Sequence, residues 1–187
     1  MISSREAAAG LYGAWRLAHL DAAGHRWFDV TIGGAIRSFW AAAIAAPPFL
    51  LVALLRSEGE VDFDRALLVE PIAYAIGWVA FPLIAERLVR LVDREARFLA
   101  LVSAYNWANA LSIAAQTAVA LVVLSGVLPG PLRNLLWLAM LLAVVGYHGF
   151  VVKTALEVGW GAAIGFVLAD LAVTVLVSSV AHALERG

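Results

Sequence analysis

The chain has 187 residues, of which 63% are hydrophobic and only 14% charged, and its mean hydropathy is +0.88. A soluble domain has about 25% charged residues. Because the apolar excess is spread along the chain, we predict an all-α polytopic integral membrane protein. A net charge of −1 without a basic run gives no sign of a nucleic-acid partner. The absence of cysteine excludes disulfides, thiolate metal sites and cysteine nucleophiles.

Residues 1–34 are predicted to form a cytoplasmic interfacial segment. Their charges are scattered and no continuous apolar core interrupts them, which is unlike a secretory signal. A helical wheel indicates an amphipathic helix with one apolar side, made of Ala7, Leu11, Ala14, Trp15 and Ala18. Rings at the headgroup level favour anchoring to the lipid surface, and we assign this role to Trp15, Trp27 and Phe28. Docking of a partner on this segment is the alternative.

Residues 35–187 are predicted to form a bundle of five transmembrane helices. A helix needs about 20 mainly apolar residues to cross roughly 30 Å of hydrocarbon. Runs of this length exclude ordinary strands, and the alternating pattern of an outer-membrane barrel is missing. Five stretches meet the requirement, at 38–55, 67–85, 98–124, 135–152 and 160–181.

Positively charged residues set the predicted orientation. Nine of the 13 Lys and Arg residues fall on the side of the N-terminus: Arg5, Arg16, Arg26, Arg37, Arg87, Arg90, Arg94, Arg97 and Lys153. Cytoplasmic loops carry the excess of Lys and Arg. We therefore expect the N-terminus in the cytoplasm and the C-terminus outside.

The third span carries an unusual set of polar side chains. The longest charge-free run of the chain, 98–132, contains Tyr105, Asn106, Asn109, Ser112 and Gln116. On a helical wheel four of them form a stripe, and Asn106 lies on its flank. Facing lipid, each amide would lack a hydrogen-bond partner, so we expect the stripe to face protein or water.

Asp170 is the acid predicted to lie near the middle of the bilayer. It stands ten residues into the fifth span, which a rise of 1.5 Å per residue converts to about 15 Å. A carboxylate at that depth must be paired, hydrated or protonated. Asn106 and Asn109 reach a similar depth and are the expected partners, so spans three and five should touch. Two interpretations stay open, namely hydrogen bonds that hold helices together and a hydrated path for protons or cations.

A small-residue motif marks the fifth span. Gly161 and Gly165 are four residues apart, and Ala169 continues the same ridge. Such a ridge lets another helix approach closely. We expect it to pack inside the bundle, with dimerisation as the alternative.

No catalytic or cofactor-binding motif is recognisable. The sequence has no HExxH, P-loop or dinucleotide fingerprint, and Asp170 has no second aspartate at its depth for a protease dyad. His148 is predicted near the inner end of the fourth span and His182 at the outer end of the fifth, so these two cannot form a bis-histidine haem site. His19 and His25 are predicted to be cytoplasmic. We expect no enzyme activity, no metal and no other cofactor.

Two stretches carry a resemblance, "GAWRLAHLDAAGHRWFDVTIGGAIRSFWAA" and "FLALVSAYNWANAL". There the chain resembles a group of small, uncharacterised five-span proteins of the bacterial inner membrane. In layout alone it is similar to Yip1-type membrane proteins. The resemblance implies a non-enzymatic role in membrane organisation or partner binding, in the bacterial inner membrane.

We therefore expect a non-enzymatic accessory or scaffold protein that binds another membrane protein or lipid. Its expected partners are the lipid bilayer and either another membrane protein or a second copy of itself. A small proton- or cation-linked transporter or channel using Asp170 is the alternative hypothesis. A subunit of an energy-converting membrane complex is a weaker one.

Overall fold

The computed structural model describes residues 2–57 and 63–186. This part of the chain contains helices and no strand, so the all-α prediction is confirmed. The seven α-helices are α1 Ser4–Ala18, α2 Ile32–Ser38, α3 Trp40–Ser57, α4 Phe63–Leu91, α5 Phe98–Leu124, α6 Gly130–Leu156 and α7 Trp160–Arg186. Two 3₁₀ helices, Ala22–Trp27 and Glu95–Arg97, connect α1 to α2 and α4 to α5.

Within residues 2–57 and 63–186, five apolar stretches are long enough to cross a membrane, and α2 and α3 together supply the first of them. The helices α4 to α7 have 27 to 29 residues each. At 1.5 Å per residue they are about 40 Å long. They extend past the apolar stretches of the sequence because charged residues at their ends stay helical. On α4, for example, Arg90 forms an ion pair with Glu86 one turn earlier.

The central element of the bundle is α5, which packs against α1, α2, α3, α4 and α6. Every residue from Leu101 to Ala108 is buried, so this part of α5 is covered on all sides. A helix that is buried all round belongs to the core of a bundle rather than to its rim. The outer helices are paired as well, since α7 packs against both α4 and α6.

The bundle has two unequal halves. We call capped half the end that carries α1, α2, the starts of α3, α5 and α7 and the ends of α4 and α6. The other end is the open half. Among the described residues, nearly all buried side chains lie in the capped half or at mid-bundle. In the open half, Ala120 and Ala181 are the only buried residues among those whose burial the structure describes.

The helix α1 packs directly onto the bundle. Its buried residues are Gly10, Gly13, Ala14 and Leu17. An added Cβ at Gly10 would lie 2.3 Å from Cε2 of Trp107, so only glycine permits this approach. Tyr147 on α6 donates a hydrogen bond of 2.8 Å to the carbonyl of Ala14. Glycine at the contact thus brings α1 against α5.

The three predicted anchor residues have different surroundings. Trp15 and Trp27 are 54% and 45% exposed, whereas Phe28 is 8% exposed and belongs to the core. The ring of Trp27 contacts Tyr12 edge-on at a centroid distance of 4.7 Å. Two exposed indoles therefore remain available to a lipid surface, while Phe28 fills space beneath α1.

Candidate functional site

Tyr105 connects three helices at the centre of the polar stripe. Its hydroxyl on α5 donates a hydrogen bond of 2.5 Å to Oδ2 of Asp170 on α7. Its ring stacks on Phe81 of α4, with centroids 3.8 Å apart and planes inclined by 18°. The Tyr105 side chain is 3% exposed. One residue thus joins α4, α5 and α7 through stacking and a hydrogen bond.

His148 on α6 completes this cluster from the other side. Its Nε2 lies 3.3 Å from the hydroxyl oxygen of Ser112, and its ring centroid lies 4.7 Å from that of Tyr105. His148 is 5% exposed. Gln116 donates a hydrogen bond of 3.2 Å to the carbonyl of Ser112. The stripe therefore contacts α6 as well as α7.

Asn106 turns to a different neighbour. Its amide donates a hydrogen bond of 2.8 Å to the hydroxyl of Ser38, which in turn donates to the carbonyl of Ala35. Asn109 is half-buried and has no side-chain hydrogen bond within the described part of the chain. The expectation that these two amides bind Asp170 is wrong, because Tyr105 occupies that role. Asn106 and Asp170 have similar predicted depths, but depth does not specify the direction of a side chain. Asn106 points away from α7 towards α2.

The sequence missed His148 as a member of the cluster. The apolar stretch predicts His148 near the inner end of the fourth span, where the sequence indicates no partner for it. The helix α6 continues to Leu156, so His148 stands eight residues before its end and reaches Ser112. The sequence signal that could have identified this contact is a hydroxyl, Ser112, and an imidazole, His148, at similar depth on consecutive spans.

A charged cluster holds the N-terminal segment on the capped half. Arg37 forms ion pairs of 2.7 Å with both Glu6 and Asp29. Hydrogen bonds from the hydroxyl and the backbone N–H of Thr31 hold the pKa of Asp29 below its usual value. The carbonyl of Asp29 accepts a hydrogen bond of 2.9 Å from Ser103 on α5. This cluster lies beside α5, within one turn of Tyr105.

Polar groups also line a groove at the end of the capped half. Nε2 of His25 lies 2.7 Å from Oγ1 of Thr154, and Arg97 forms an ion pair of 2.6 Å with Glu157. Lys153 lies over the ring of Trp160, with its ammonium 5.6 Å from the ring centroid. Burial, aided by repulsion from Arg97, lowers the pKa of His25 to about 4. His25 is therefore neutral at pH 7.

The small-residue motif of α7 does not pack inside the bundle. Gly161 and Gly165 are exposed, and an added Cβ at either position would meet no atom within 4 Å. Ala169 is half-buried. The internal face of α7 carries instead Ala163, Phe166 and Val167. The expectation of internal packing through Gly161 and Gly165 is wrong, since these glycines point outward.

The described residues contain no group of three His, Asp or Glu side chains placed to hold a metal ion. The hydrogen bonds of the stripe instead join helices that are distant in sequence, α5 to α2, to α6 and to α7. Searches against protein-family models, curated proteins and solved structures find no match to this chain.

Proposed function

We propose that this chain is a non-enzymatic accessory or scaffold protein of the bacterial inner membrane that associates with another membrane protein or with a second copy of itself. The observation that carries the proposal is the internal use of the polar stripe. Tyr105, Asn106, Ser112 and Gln116 each make a hydrogen bond within the chain. Groups engaged in this way fix the register of helices.

The exposed side chains support insertion in a membrane. On α7 the exposed large aliphatic residues run from Ile164 to Leu184. Leu184 follows Ile164 by 20 positions, which at 1.5 Å per residue cover about 30 Å, the hydrocarbon thickness of a bilayer. The excess of Lys and Arg at the capped half supports a location of this half on the cytoplasmic side.

The open half supports association with other molecules. Its helices bury few side chains against one another and expose a belt of large apolar residues: Leu121, Val122, Leu124, Leu135, Leu138, Leu141, Leu142, Val175, Leu176, Val180 and Leu184. Between helices in lipid, packing and hydrogen bonds replace the hydrophobic driving force. A second membrane protein, a second copy or lipid must cover this belt.

Site-specific photo-crosslinking tests the association in cells. A p-benzoylphenylalanine residue at Leu138 or Leu176, both exposed in the open half, should give a discrete protein adduct. Leu83, which is 66% exposed at the capped end of α4, is the matched control and should give lipid adducts alone. Lipid adducts alone at all three positions would contradict association through the open half.

The absence of cysteine allows a direct test of orientation. Ala8 and Ala183 are both exposed and lie at opposite ends of the bundle. A membrane-impermeant maleimide should label Ala183→Cys in intact spheroplasts and Ala8→Cys only after lysis. The reverse pattern would invert the proposed orientation, and labelling of both in spheroplasts would contradict insertion.

Proton- or cation-linked transport is a second candidate, favoured by one observation. Asp170 is half-buried, and within the described chain only its Oδ2 has a hydrogen-bond partner. The other carboxyl oxygen of Asp170, Oδ1, is therefore available to bind a proton or a cation. Proton or cation flux into liposomes that contain either the parent chain or Asp170→Asn tests this function. Flux that the substitution abolishes would establish transport, and equal flux would remove Asp170 from any pathway.

A further inference from the structure

A groove of about 880 Å³ opens at the end of the capped half. The 3₁₀ helix Ala22–Trp27, the start of α5 and the end of α6 form its walls, and its polar lining comes from His25, Arg97, Lys153, Thr154 and Glu157. Its volume falls in the range of about 300–1,000 Å³ that is typical of small-molecule sites. We propose that this groove binds the phosphate of an anionic phospholipid headgroup, an inference that rests on the membrane placement proposed above.

The charges at the groove favour an anion. Lys153 forms no ion pair with a carboxylate among the described residues, and its ammonium lies over the Trp160 ring. Arg97 has one carboxylate partner, Glu157. The groove thus carries two cations against one acid, and His25 adds no charge at pH 7 because its pKa is about 4.

The start of α5 also favours an anion at the groove. Leu99 and Ala100, in its first turn, line the groove. No side chain caps this helix, since its N-cap residue Arg97 makes no capping hydrogen bond. The N–H of Phe98 donates to the carbonyl of Glu95 in the preceding 3₁₀ helix, and the dipole of α5 favours an anion at this end.

An apolar surface continues from the groove along α7. Trp160, Ile164 and Leu168 follow one another at intervals of four residues and are 49%, 48% and 58% exposed. Residues four apart lie on one face of a helix. Lys153 contacts the first of these three side chains, so a phosphate at Lys153 would stand directly above an apolar row suited to an acyl chain. This continuity distinguishes a lipid from free phosphate.

Glu157 competes with the anion. Its carboxylate occupies Arg97 at 2.6 Å, so a bound phosphate must share or displace it. Glu157 itself is largely exposed, with 64% of its side chain accessible. Removal of its charge should therefore strengthen anion binding, whereas removal of the Lys153 charge should weaken it. The two substitutions act in opposite directions at one groove.

Native mass spectrometry of the purified chain in a neutral detergent tests the proposal. The probes are phosphatidylglycerol, phosphatidylcholine and inorganic phosphate. We expect phosphatidylglycerol to bind more tightly than phosphatidylcholine, Lys153→Gln to weaken it about fivefold, as the loss of one basic residue near a membrane surface predicts, and Glu157→Gln to strengthen it. Arg133→Gln, an equal charge change at an exposed site in the open half, should leave it unchanged.

Three results of this experiment would contradict the proposal. Equal effects of Lys153→Gln and Arg133→Gln, or weaker binding by Glu157→Gln, would overturn the site. Binding of inorganic phosphate with no preference for phosphatidylglycerol would overturn the lipid assignment. Because Lys153→Gln can also perturb folding, its unfolding midpoint without added lipid is measured, and the gain expected for Glu157→Gln cannot result from misfolding. The photo-crosslinking and labelling results remain independent of these outcomes.

Discussion

The capped and open halves of the bundle are built from the same five apolar stretches but differ in packing. The mean hydropathy of the five apolar stretches lies between 1.7 and 2.2. Yet α5 is enclosed on all sides from Leu101 to Ala108 and exposes Leu121, Val122 and Leu124 at its other end. Hydropathy therefore does not determine where the helices of this chain pack against one another.

Specific contacts account for the difference. The capped half contains a glycine at a close helix contact, Gly10, and hydrogen bonds between helices from Tyr105 and Asn106. Lipid tails solvate apolar side chains as well as another helix does, so small residues and polar bonds select which helices touch. In the open half, large apolar side chains such as Leu121 and Leu176 are exposed, and this surface is left to lipid or to a partner.

The largest expected difference comes from one leucine in each half. Leu101 is fully buried, and Leu101→Ala should lower the free energy of unfolding by about 2–5 kcal/mol because it leaves a cavity. Leu141, 50% exposed in the open half, is the matched site, and Leu141→Ala should cost less than about 0.5 kcal/mol. Unfolding by sodium dodecyl sulfate in mixed micelles, followed by tryptophan fluorescence, measures both. Equal losses would contradict the division into two halves.

Acid should destabilise the capped half through His25. Its pKa is about 4 when folded and 6.5 in the unfolded chain, so between these values the unfolded chain binds more protons. Stability is therefore complete above about pH 6.5 and falls on acidification towards pH 4, by about 2–3 kcal/mol. The same unfolding measured from pH 7 to pH 4.5 tests this.

His25→Gln should flatten that pH dependence. His19→Gln, at an exposed position of the same segment, should preserve it. If the stability of His25→Gln still falls on acidification as it does in the parent chain, another group causes the acid sensitivity.

A buried glycine and an exposed glycine should respond in opposite ways. Gly10→Ala places a Cβ 2.3 Å from the buried Trp107 ring and should cost about 1–3 kcal/mol. Gly165→Ala meets no atom within 4 Å and should be neutral, or stabilising by up to about 1 kcal/mol, because alanine favours the helix. Thermal unfolding of both variants in detergent measures the difference. A loss of stability in Gly165→Ala that grows with protein concentration would instead indicate that α7 contacts a second copy.

The two asparagines of the stripe offer the smallest and sharpest comparison. Asn106→Ala removes the hydrogen bond to Ser38 and should cost about 1 kcal/mol. Asn109→Ala removes no described hydrogen bond and should cost less than about 0.5 kcal/mol. Both are measured by the same detergent unfolding. A larger cost at Asn109 would indicate a contact with lipid, water or a partner.

The sequence predicted the helical class and the number of long apolar helices because both follow from hydropathy along one segment. Side-chain direction was predicted only in part. Periodicity indicated that Tyr105 and Ser112 share a face, but it does not specify which helix stands opposite. Tyr105 and Asp170 are 65 residues apart, and Asn106 and Ser38 are 68 apart. Such pairings depend on how all helices pack, which explains why Asn106 was assigned to Asp170.

The most direct test of whether the polar stripe holds helices together is the energetic coupling between Tyr105 and Asp170. A double-mutant cycle of Tyr105→Phe and Asp170→Leu removes one partner, the other, or both. Each single change leaves one polar group inside the bundle without its partner, either the half-buried Asp170 or the buried Tyr105 hydroxyl. The double variant should therefore be more stable than additivity predicts, by about 1–2 kcal/mol in detergent unfolding. Single losses that add to within about 0.3 kcal/mol would show that the two side chains are not coupled, and would contradict the account.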